Sequence, residues 1–351
     1  MNMKSLPVVS IVIPVFNAEN YLGRLLDSVK KQTFQDYELI LVNDGSSDKS
    51  AEIIEEYRER DPRIHVINQE NSGAAAARNR GIEESHGKYL TFLDADDAIE
   101  ADMLQVMVDN AYEHQSELVV CGIYTDIIEK GQVVSSATMS APDQVVKGNY
   151  TIREYTIKTM DKSIMYSPCN KLYVTSIIRN HSLLMRTDID IGEDLVFNLN
   201  YIGFIDTLTM ISTCYYHYYQ RDTGLNIMSQ FREDKAEIMG IWIKELFAFS
   251  QELSDPYVKD IILWMKIRWF LSCFIEMVTS NKNFNEKCIY IKTVIEREHL
   301  QDIRVSSLDF FKKVIIRFVT SGNVFLIYIL SLAIGLYKQK YKNRYYKRIT
   351  K

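Results

Sequence analysis

The sequence predicts an open α/β sheet with flanking helices, followed by a helical C-terminal region. Short runs rich in Val, Ile and Leu recur about every 25 residues near the start, and stretches with helical spacing of apolar residues separate them. Such alternation is typical of βαβ units. From about residue 231 to about residue 300 the apolar residues keep a helical spacing with few Gly or Pro, which predicts the helical region.

Four of these runs have the pattern of strands that are covered on both faces of a parallel sheet, because each is almost continuously apolar. They lie at residues 8–15, 37–44, 63–68 and 89–96, and helices are predicted between them at 18–32, 47–60 and 74–86. Polar residues mark the ends of the four runs: Asn17, Asp44, Asn68 and Asp94. Because ligands of open α/β sheets bind at the carboxyl ends of the strands, the sequence predicts a binding site at this edge.

The rest of the chain has a less regular pattern. In chain order it predicts a helix at 101–114, a strand at 117–122, a hairpin at 124–136, irregular structure at 135–165, a strand or loop with a short helix at 167–184, a loop and helix at 189–204, and a pair of strands at 206–222. The pattern turns helical near 225–235. We therefore expect an α/β domain at 1–228, a helical domain at 229–308 and a tail at 309–351.

Composition places the chain among folded, core-burying proteins, since 47% of its 351 residues are apolar and 25% are charged. The five cysteines are scattered without a CxxC pair, which fits reduced thiols in a cytosolic protein and gives no zinc site. The first apolar run is broken by Pro14 and ends in Asn17 rather than in a small-residue cleavage site. We therefore interpret it as a strand and not as a signal peptide.

The segment LDADD (93–97) indicates metal chemistry, because Mg²⁺ and Mn²⁺ prefer carboxylate oxygens and are completed by substrate phosphates. Asp94 and Asp96, two positions apart where a strand leaves its sheet, would place one carboxylate on the metal and the other on a ribose or sugar. The alternative is that Asp96 or Asp97 caps the helix predicted from about residue 101. That alternative suits Asp97 but leaves Asp94 unexplained, and we favour the metal–nucleotide interpretation.

Two further segments bring polar residues to the same edge. NDGSSDKS (43–50) is by itself typical of a turn before a capped helix, but beside the acidic segment Asp44 becomes a candidate acceptor for a nucleobase. NSGAAAARNRGIEES (71–85) predicts an Ala-rich helix whose small residues allow close packing on the sheet. Its Arg78 would pair with a diphosphate or orient the acidic cluster.

Taken together, residues 9–50, NSGAAAARNRGI (71–82) and YLTFLDADD (89–97) resemble the family 2 glycosyltransferases with the GT-A fold. The resemblance is close over residues 8–110 and continues more loosely to about 225. It implies inverting transfer of a sugar from a UDP-sugar, with Mn²⁺ or Mg²⁺ on the diphosphate. The donor site that it implies contains the uracil contact Asp44 and its neighbour Asn71, the metal ligand Asp96, the ribose or sugar contact Asp94, and the pocket residues Pro14, Val15, Phe16, Arg78 and Ala95.

An inverting transfer also needs a base for the acceptor hydroxyl. In GEDLVFN (192–198), which resembles the Glu-Asp motif of the family, Asp194 would be this base and Glu193 a neighbouring acceptor-site group. The alternative is that both acids merely suit the start of a helix.

The segment YYHYYQRDTG (215–224) lies about twenty residues further on. The resemblance places His217 there as a second metal ligand and Arg221 as a diphosphate contact. A buried, hydrogen-bonded histidine of the core is the alternative for His217.

The charge of the chain is uneven, because residues 310–351 carry ten Lys/Arg and no Asp/Glu, which leaves a formal −15 on residues 1–309. The apolar stretch at 324–337 is shorter than the ~20 residues of a spanning helix, and cations flank both of its ends. An amphipathic segment at an anionic inner leaflet fits these features; a buried helix or a basic arm for nucleic acid is the alternative. We expect a cytoplasmic protein, peripherally associated with the inner face of the cell membrane, that binds no nucleic acid.

These features predict transfer of a single sugar, from UDP-hexose or UDP-N-acetylhexosamine, to a hydroxyl of a lipid-linked or polymer acceptor in bacterial surface polysaccharide synthesis. Processive synthases of the family carry a Gln-x-x-Arg-Trp motif, and Met265 stands in place of that Gln in MKIRW. One alternative is a sugar-nucleotide pyrophosphorylase-like enzyme, although PVFNAENY (14–21) lacks its Gly-rich basic loop. The other is a non-catalytic nucleotide-binding or membrane scaffold.

Overall fold

The computed structural model describes residues 6–129, 132–221 and 232–340. The chain divides into two compact units, and the division falls after Arg221. The boundary expected between residues 228 and 229 lies outside the described residues, as do the turn of the predicted hairpin at 130–131 and the end of the tail at 341–351.

The first unit is built on a ten-stranded sheet in the part of the chain that the structure describes. The strands, β1 to β10 in chain order, are Val9–Val15, Tyr37–Asp44, Ile64–Gln69, Tyr89–Phe92, Ala98–Ile99, Leu118–Glu129, Gln132–Met139, Gln144–Lys147, Lys171–Val174 and Thr207–Arg221. The helices, α1 to α7, are Leu22–Lys30, Ser50–Arg60, Ala74–Glu84, Met103–Glu113, Asn149–Thr159, Thr175–Asn180 and Glu193–Ile202.

The sheet is open and mixed, in the order β3-β2-β1-β4-β9-β6-β10-β5, with β7 paired to β6 and β8 paired to β10. Strands β3, β2, β1 and β4 run parallel, whereas β9 and β5 pair antiparallel to their neighbours. The open sheet with flanking helices is thus confirmed. Because β1, β2 and β4 are parallel, the loops that follow them meet at one edge.

Strand β3, at the edge of the sheet, buries only Ile64 among its six residues, so the prediction that both of its faces are covered is wrong. The rest of the parallel half of the sheet forms from strands that bury nearly every side chain, and all eight residues of β2 are buried. Helix α1 covers it with an apolar stripe at helical spacing: Leu22, Leu25, Leu26 and Val29. Helix α3 lies so close to β1 that a Cβ on Gly81 would be 2.2 Å from Val12 Cγ1. The small residues of α3 therefore serve close packing.

Two further sequence predictions for this unit are wrong. Where a pair of strands is predicted at 206–222, Thr207–Arg221 form one long strand, because irregular pairing between Met210 and Tyr216 absorbs the break in the pattern. Residues 135–165 are also more regular than expected, since β8 and α5 lie there.

The second unit is helical, as predicted. Its helices, α8 to α12, are Lys235–Phe249, Pro256–Thr279, Phe284–Arg297, Phe310–Thr320 and Val324–Lys340. Helix α9 is buried along most of its length, and Trp269 packs edge-on against Trp242 of α8 with ring centroids 5.3 Å apart. Across the ranges that the structure describes, no helix has both the length and the apolar character that a membrane crossing requires.

Candidate active site

A pocket of about 430 Å³ opens at the carboxyl edge of β1, β2 and β4. This volume lies in the range of small-molecule sites. The pocket is lined by nine residues that the sequence assigns to the donor site, namely Pro14, Val15, Phe16, Asp44, Asn71, Arg78, Asp94, Ala95 and Asp96. Asn17, which the sequence places at this edge without a role, lines the pocket as well. Sequence reasoning missed four other lining residues, which follow β1 or precede Arg78: Ala18, Tyr21, Gly73 and Ala74.

Asp44, the last residue of β2, is buried and holds the loop that leads into α3. Its Oδ1 accepts hydrogen bonds from Gln69 Nε2 at 2.7 Å and from the Ser72 amide at 2.9 Å, and its Oδ2 accepts from the Gly73 amide at 2.9 Å. Gly45 follows with a φ of +73°, and a Cβ there would lie 2.9 Å from the next loop's backbone. Asp44 thus shapes the pocket wall, and its predicted contact with uracil stays a prediction.

The segment 94–97, which we call the acidic turn, follows β4. Asp94 and Asp96 line the pocket, whereas Asp97 is fully buried. Burial raises the pKa of Asp97, and the charges of Asp96 and Asp94 raise it further. The prediction that Asp97 caps the next helix is wrong, because its carboxylate accepts hydrogen bonds from the Tyr216 hydroxyl and the Tyr219 amide instead.

The donor atoms of the acidic turn fit a divalent cation. Asp96 places a carboxylate at the pocket, and Asp94 adds a second carboxylate beside it. Mg²⁺ and Mn²⁺ sites often have only one or two protein carboxylates, and substrate phosphates complete them. Within the described ranges, no set of three or more His, Cys, Asp or Glu side chains could enclose a metal.

Arg78 joins the acidic turn to helix α7. Its guanidinium, which is buried, donates to Asp94 Oδ1 at 2.6 Å and to Glu193 Oε1 at 3.3 Å. Burial opposes the positive charge, but Asp94 above all holds the pKa of Arg78 above its usual range. Arg78 thus contacts the acidic turn, and because it also lines the pocket its predicted pairing with a diphosphate stays a prediction.

Asp194 lies in the first turn of α7, beside Glu193. Its Oδ1 accepts a hydrogen bond from the Leu195 amide at 2.7 Å. Burial, and next the charge of Glu193, raise the pKa of Asp194 to about 7, although Arg78 opposes the shift. A carboxylate of this basicity can accept a proton near neutral pH.

Lys171, the first residue of β9, is a charged group that sequence reasoning missed. It is fully buried, and its Nζ donates to the carbonyl oxygens of Ile164 and Ser167 and to Asn170 Oδ1, over 2.5 to 3.0 Å. Burial lowers the pKa of Lys171 to about 7, and the charge of Asp194 opposes that shift more than any other group. The available signal was a lysine that begins the apolar run KLYV.

His217 lies on β10, and both of its ring nitrogens contact carboxylates. Nδ1 is 2.8 Å from Asp126 Oδ2, Nε2 is 2.9 Å from Glu100 Oε1, and the ring stacks on Tyr124. The imidazole would have to leave one carboxylate to reach a metal, so its role as a ligand stays a prediction. Arg221 is the last residue of β10, and its side chain lies outside the described part of the structure.

Comparisons with known proteins show what this chain resembles. The model for "Glycosyl transferase family 2" matches residues 10–181. The uncharacterized glycosyltransferase EpsJ of Bacillus subtilis (strain 168) is 33% identical over 63% of this chain and 63% of its own length. The putative glycosyltransferase EpsH of the same organism is 35% identical over 60% of each chain. The chain thus spans about three fifths of the length of these curated relatives.

Among solved structures, the crystal structure of S. aureus TarS 1-349 in complex with UDP-GlcNAc has a TM-score of 0.68 to this chain at 20% sequence identity. The match covers 95% of this chain and 92% of that one. The likeness shows the fold, which is the GT-A fold followed by a helical region. Over residues 10–181 the chain is therefore similar in sequence to glycosyl transferase family 2, and over nearly its whole length it has the fold of TarS.

Proposed function

We propose that this chain is an inverting, metal-dependent glycosyltransferase that moves a single sugar from a UDP-sugar to a hydroxyl of a lipid-linked or polymer acceptor in bacterial surface polysaccharide synthesis. One observation carries the proposal. The pocket that gathers Asp44, Asp94 and Asp96 is joined through Arg78 to the helix start that holds Asp194. A donor pocket and a carboxylate base are thus connected by one buried cation.

The pocket offers separate groups to the parts of a UDP-sugar, and a bound UDP-GlcNAc in TarS supports this donor class. Phe16, which is half exposed at the pocket wall, presents an aromatic face for the nucleobase, with Asn71 nearby. Asp96 would hold Mg²⁺ or Mn²⁺, and Asp94 would contact the ribose or donor sugar. When bound, the cation neutralises charge on the leaving diphosphate.

Asp194 acts as the base in this mechanism. It takes the proton of the acceptor hydroxyl as that oxygen attacks the anomeric carbon, while the bond between that carbon and the diphosphate oxygen breaks. A pKa of about 7 leaves much of the carboxylate ionised at neutral pH and still basic enough to accept the proton. Glu193, held by Arg78, lies beside it on the acceptor side.

A panel of UDP-sugars, incubated with the protein and Mn²⁺, tests the proposal through release of UDP. We expect turnover of at least one donor and a fall of about 100-fold in Asp96→Asn, as when a group that stabilises charge in the transition state is removed. Asp109→Asn is the matched control, because Asp109 is an exposed acid on α4, away from the pocket, whose side chain accepts a hydrogen bond from Gln105. It should keep wild-type activity.

Other outcomes separate the alternatives. Formation of a UDP-sugar from UTP and a sugar phosphate, without glycosyl transfer, would favour the pyrophosphorylase-like enzyme. Binding of UDP without turnover of any donor would favour the scaffold. Full activity in Asp96→Asn would contradict the metal role of Asp96.

Membrane association is the second part of the proposal, and helices α11 and α12 support it. Neither helix contains Asp or Glu, and both carry Lys or Arg, including Lys313, Arg317 and Lys340. Large apolar side chains of the two helices are exposed: Phe310, Phe311, Phe318, Phe325, Leu326, Ile329, Leu336 and Tyr337. Cations beside exposed apolar groups match an anionic bilayer surface, and docking there would bring the enzyme to a lipid-linked acceptor.

Sedimentation with vesicles tests this part directly. We expect binding to vesicles that contain phosphatidylglycerol and at least tenfold weaker binding to pure phosphatidylcholine, because each cation near an anionic surface contributes about 1 kcal/mol. The double variant Phe310→Ser/Phe311→Ser should lose binding, since these rings are 80% and 71% exposed. Leu184→Ser, an exposed apolar residue of the first unit, should not. Equal binding of both variants would contradict the assigned surface.

A further inference from the structure

Strand β10 lies against the acidic turn and contacts both of its ends. Tyr216 of β10 is almost completely buried, and its hydroxyl donates to Asp97 Oδ2 and accepts from the Asp94 amide at 3.3 Å. One phenol group uses its single proton and a lone pair for these two bonds. It therefore ties the first and the last residue of the turn to the same point of the sheet.

A second bond from β10 fixes the other oxygen of Asp97. The Tyr219 amide donates to Asp97 Oδ1 at 3.0 Å, and the Asp97 amide donates to the Asp94 carbonyl oxygen at 3.0 Å. The carboxylate of Asp97 is thus engaged by β10 and shielded from the pocket. The residues that follow the turn, β5, pair with β10 as well.

Helix α1 holds the middle of the turn. The guanidinium of Arg24 stacks on the ring of Tyr219 at 3.9 Å from its centroid and donates a hydrogen bond to the Asp96 carbonyl oxygen. The backbone of the turn is therefore attached to β10 at the Asp94 amide and to α1 at the Asp96 carbonyl. The three acids of the turn repel one another, so an untethered turn would sample conformations that spread them apart.

We propose that Tyr216 and Arg24 are positioning residues of the acidic turn, which keep the Asp96 carboxylate aimed at the pocket and so set the affinity for the cation and its nucleotide. This inference rests on the proposed function, because it concerns the cation that Asp96 would hold. Neither residue lines the pocket: Tyr216 acts through the Asp94 amide and the Asp97 carboxylate, and Arg24 acts through the Asp96 carbonyl oxygen. Supporting groups of this kind limit the movement of a ligand side chain and raise affinity by preorganisation.

Tyr216→Phe removes the hydroxyl and keeps the ring, and the chain offers a matched control in Tyr201. The Tyr201 hydroxyl is also fully buried, donates to the Glu117 carbonyl at 2.6 Å and accepts from the Val174 amide at 2.8 Å, away from the acidic turn. Tyr201→Phe therefore also removes one buried tyrosine hydroxyl that makes two hydrogen bonds. Arg24→Gln is a second variant in case Tyr216→Phe does not fold.

Calorimetric titration of UDP in the presence of Mn²⁺, and Mn²⁺ binding followed by electron paramagnetic resonance, measure the effect. We expect about tenfold weaker binding in Tyr216→Phe, with a raised donor KM and a kcat within about twofold of wild type. Hydrogen exchange of the Asp94 amide should also become faster, because that amide loses its acceptor. Tyr201→Phe should change none of these quantities.

Wild-type affinity and wild-type exchange at Asp94 in a folded Tyr216→Phe variant would overturn the inference. If the wild-type protein binds no UDP with Mn²⁺, the proposed function fails, and the exchange rate of the Asp94 amide then decides the inference alone. An equal loss of affinity in both tyrosine variants would also overturn it, because the loss would then follow from the removal of any buried tyrosine hydroxyl.

Discussion

The buried guanidinium of Arg78 pairs with Asp94, whose side chain is a third exposed, with 2.6 Å between Nη2 and Oδ1, at the boundary between the proposed donor pocket and helix α7. The same guanidinium reaches Glu193 at 3.3 Å. Since Asp94 belongs to the acidic turn and Glu193 precedes the proposed base, one cation controls the spacing of both halves of the site.

Replacing Arg78 by Met should lower both stability and activity. The variant leaves two carboxylates without their cation, and because Asp94 is a third exposed we expect a cost of about 2–3 kcal/mol of unfolding free energy, below that of a fully buried pair. The control is Arg80→Met, because Arg80 pairs with Glu83 and Glu84 on the exposed face of the same helix and should change stability by less than about 1 kcal/mol. Urea unfolding measures both. Equal destabilisation by the two variants would mean that the Arg78 pairs contribute no more than surface pairs.

The activity should depend on pH through Asp194. Because burial raises the pKa of Asp194 to about 7, the carboxylate is protonated, and unable to accept the acceptor proton, below that pH. We expect kcat/KM to fall about tenfold for each pH unit below about 7. Asp194→Asn should have low activity without this dependence while it still binds UDP. An acid limb near pH 4 in the wild-type profile would contradict the assignment.

Two helix glycines should respond in opposite directions to alanine. Gly81→Ala places a Cβ against Val12 at 2.2 Å, and overpacking of this kind destabilises by about 1–3 kcal/mol. Gly23 of α1 has only the Tyr57 hydroxyl near its Cβ position, at 3.8 Å, so Gly23→Ala should stabilise by up to about 1 kcal/mol through helix propensity. Midpoints of urea unfolding test both. A stabilised Gly81→Ala would show that α3 can move away from β1.

The sequence predicts most of the pocket correctly because its acidic residues stand at positions that the local sequence pattern identifies. Asp44, Asp94 and Asp96 each follow an apolar run at the same edge of a parallel sheet, so their meeting follows from topology alone. Asp97 was interpreted wrongly because its partner Tyr216 lies 119 positions later in the chain. The local sequence pattern suggests a helix cap for Asp97, whereas its hydrogen bond with the Tyr216 hydroxyl depends on tertiary packing.

The missed helix α5 has a physical reason as well. Five of its eleven residues are β-branched, which lowers helix propensity, and its buried positions include Thr156 and Thr159 beside Ile152 and Ile157. Tertiary contacts stabilise it: the Asn149 side chain at its first residue donates to carbonyl groups at the end of α7. Such long-range contacts leave no periodic signal in the sequence.

The buried ammonium of Lys171 should make stability rise with pH. Burial lowers the pKa of Lys171 to about 7 in the folded state, while the unfolded chain keeps its ordinary value of 10.5. Between these values the unfolded state binds the extra proton, so the free energy of unfolding increases as pH rises. Relative to Lys171→Met, which lacks this group, the wild type should gain about 2 kcal/mol between pH 7.5 and pH 9.

Urea unfolding of the wild type and of Lys171→Met at both pH values measures this difference, and Lys162→Met, which changes an exposed lysine nearby in the chain, is the control. Lys162→Met should keep the wild-type pH dependence, because the Lys162 ammonium is in contact with solvent in the folded protein as it is in the unfolded chain. If the wild type and Lys171→Met differ by a constant free energy across this range, Lys171 stays protonated in the folded protein. In that case the charge of Asp194, with the three oxygen atoms around Nζ, outweighs the cost of burial.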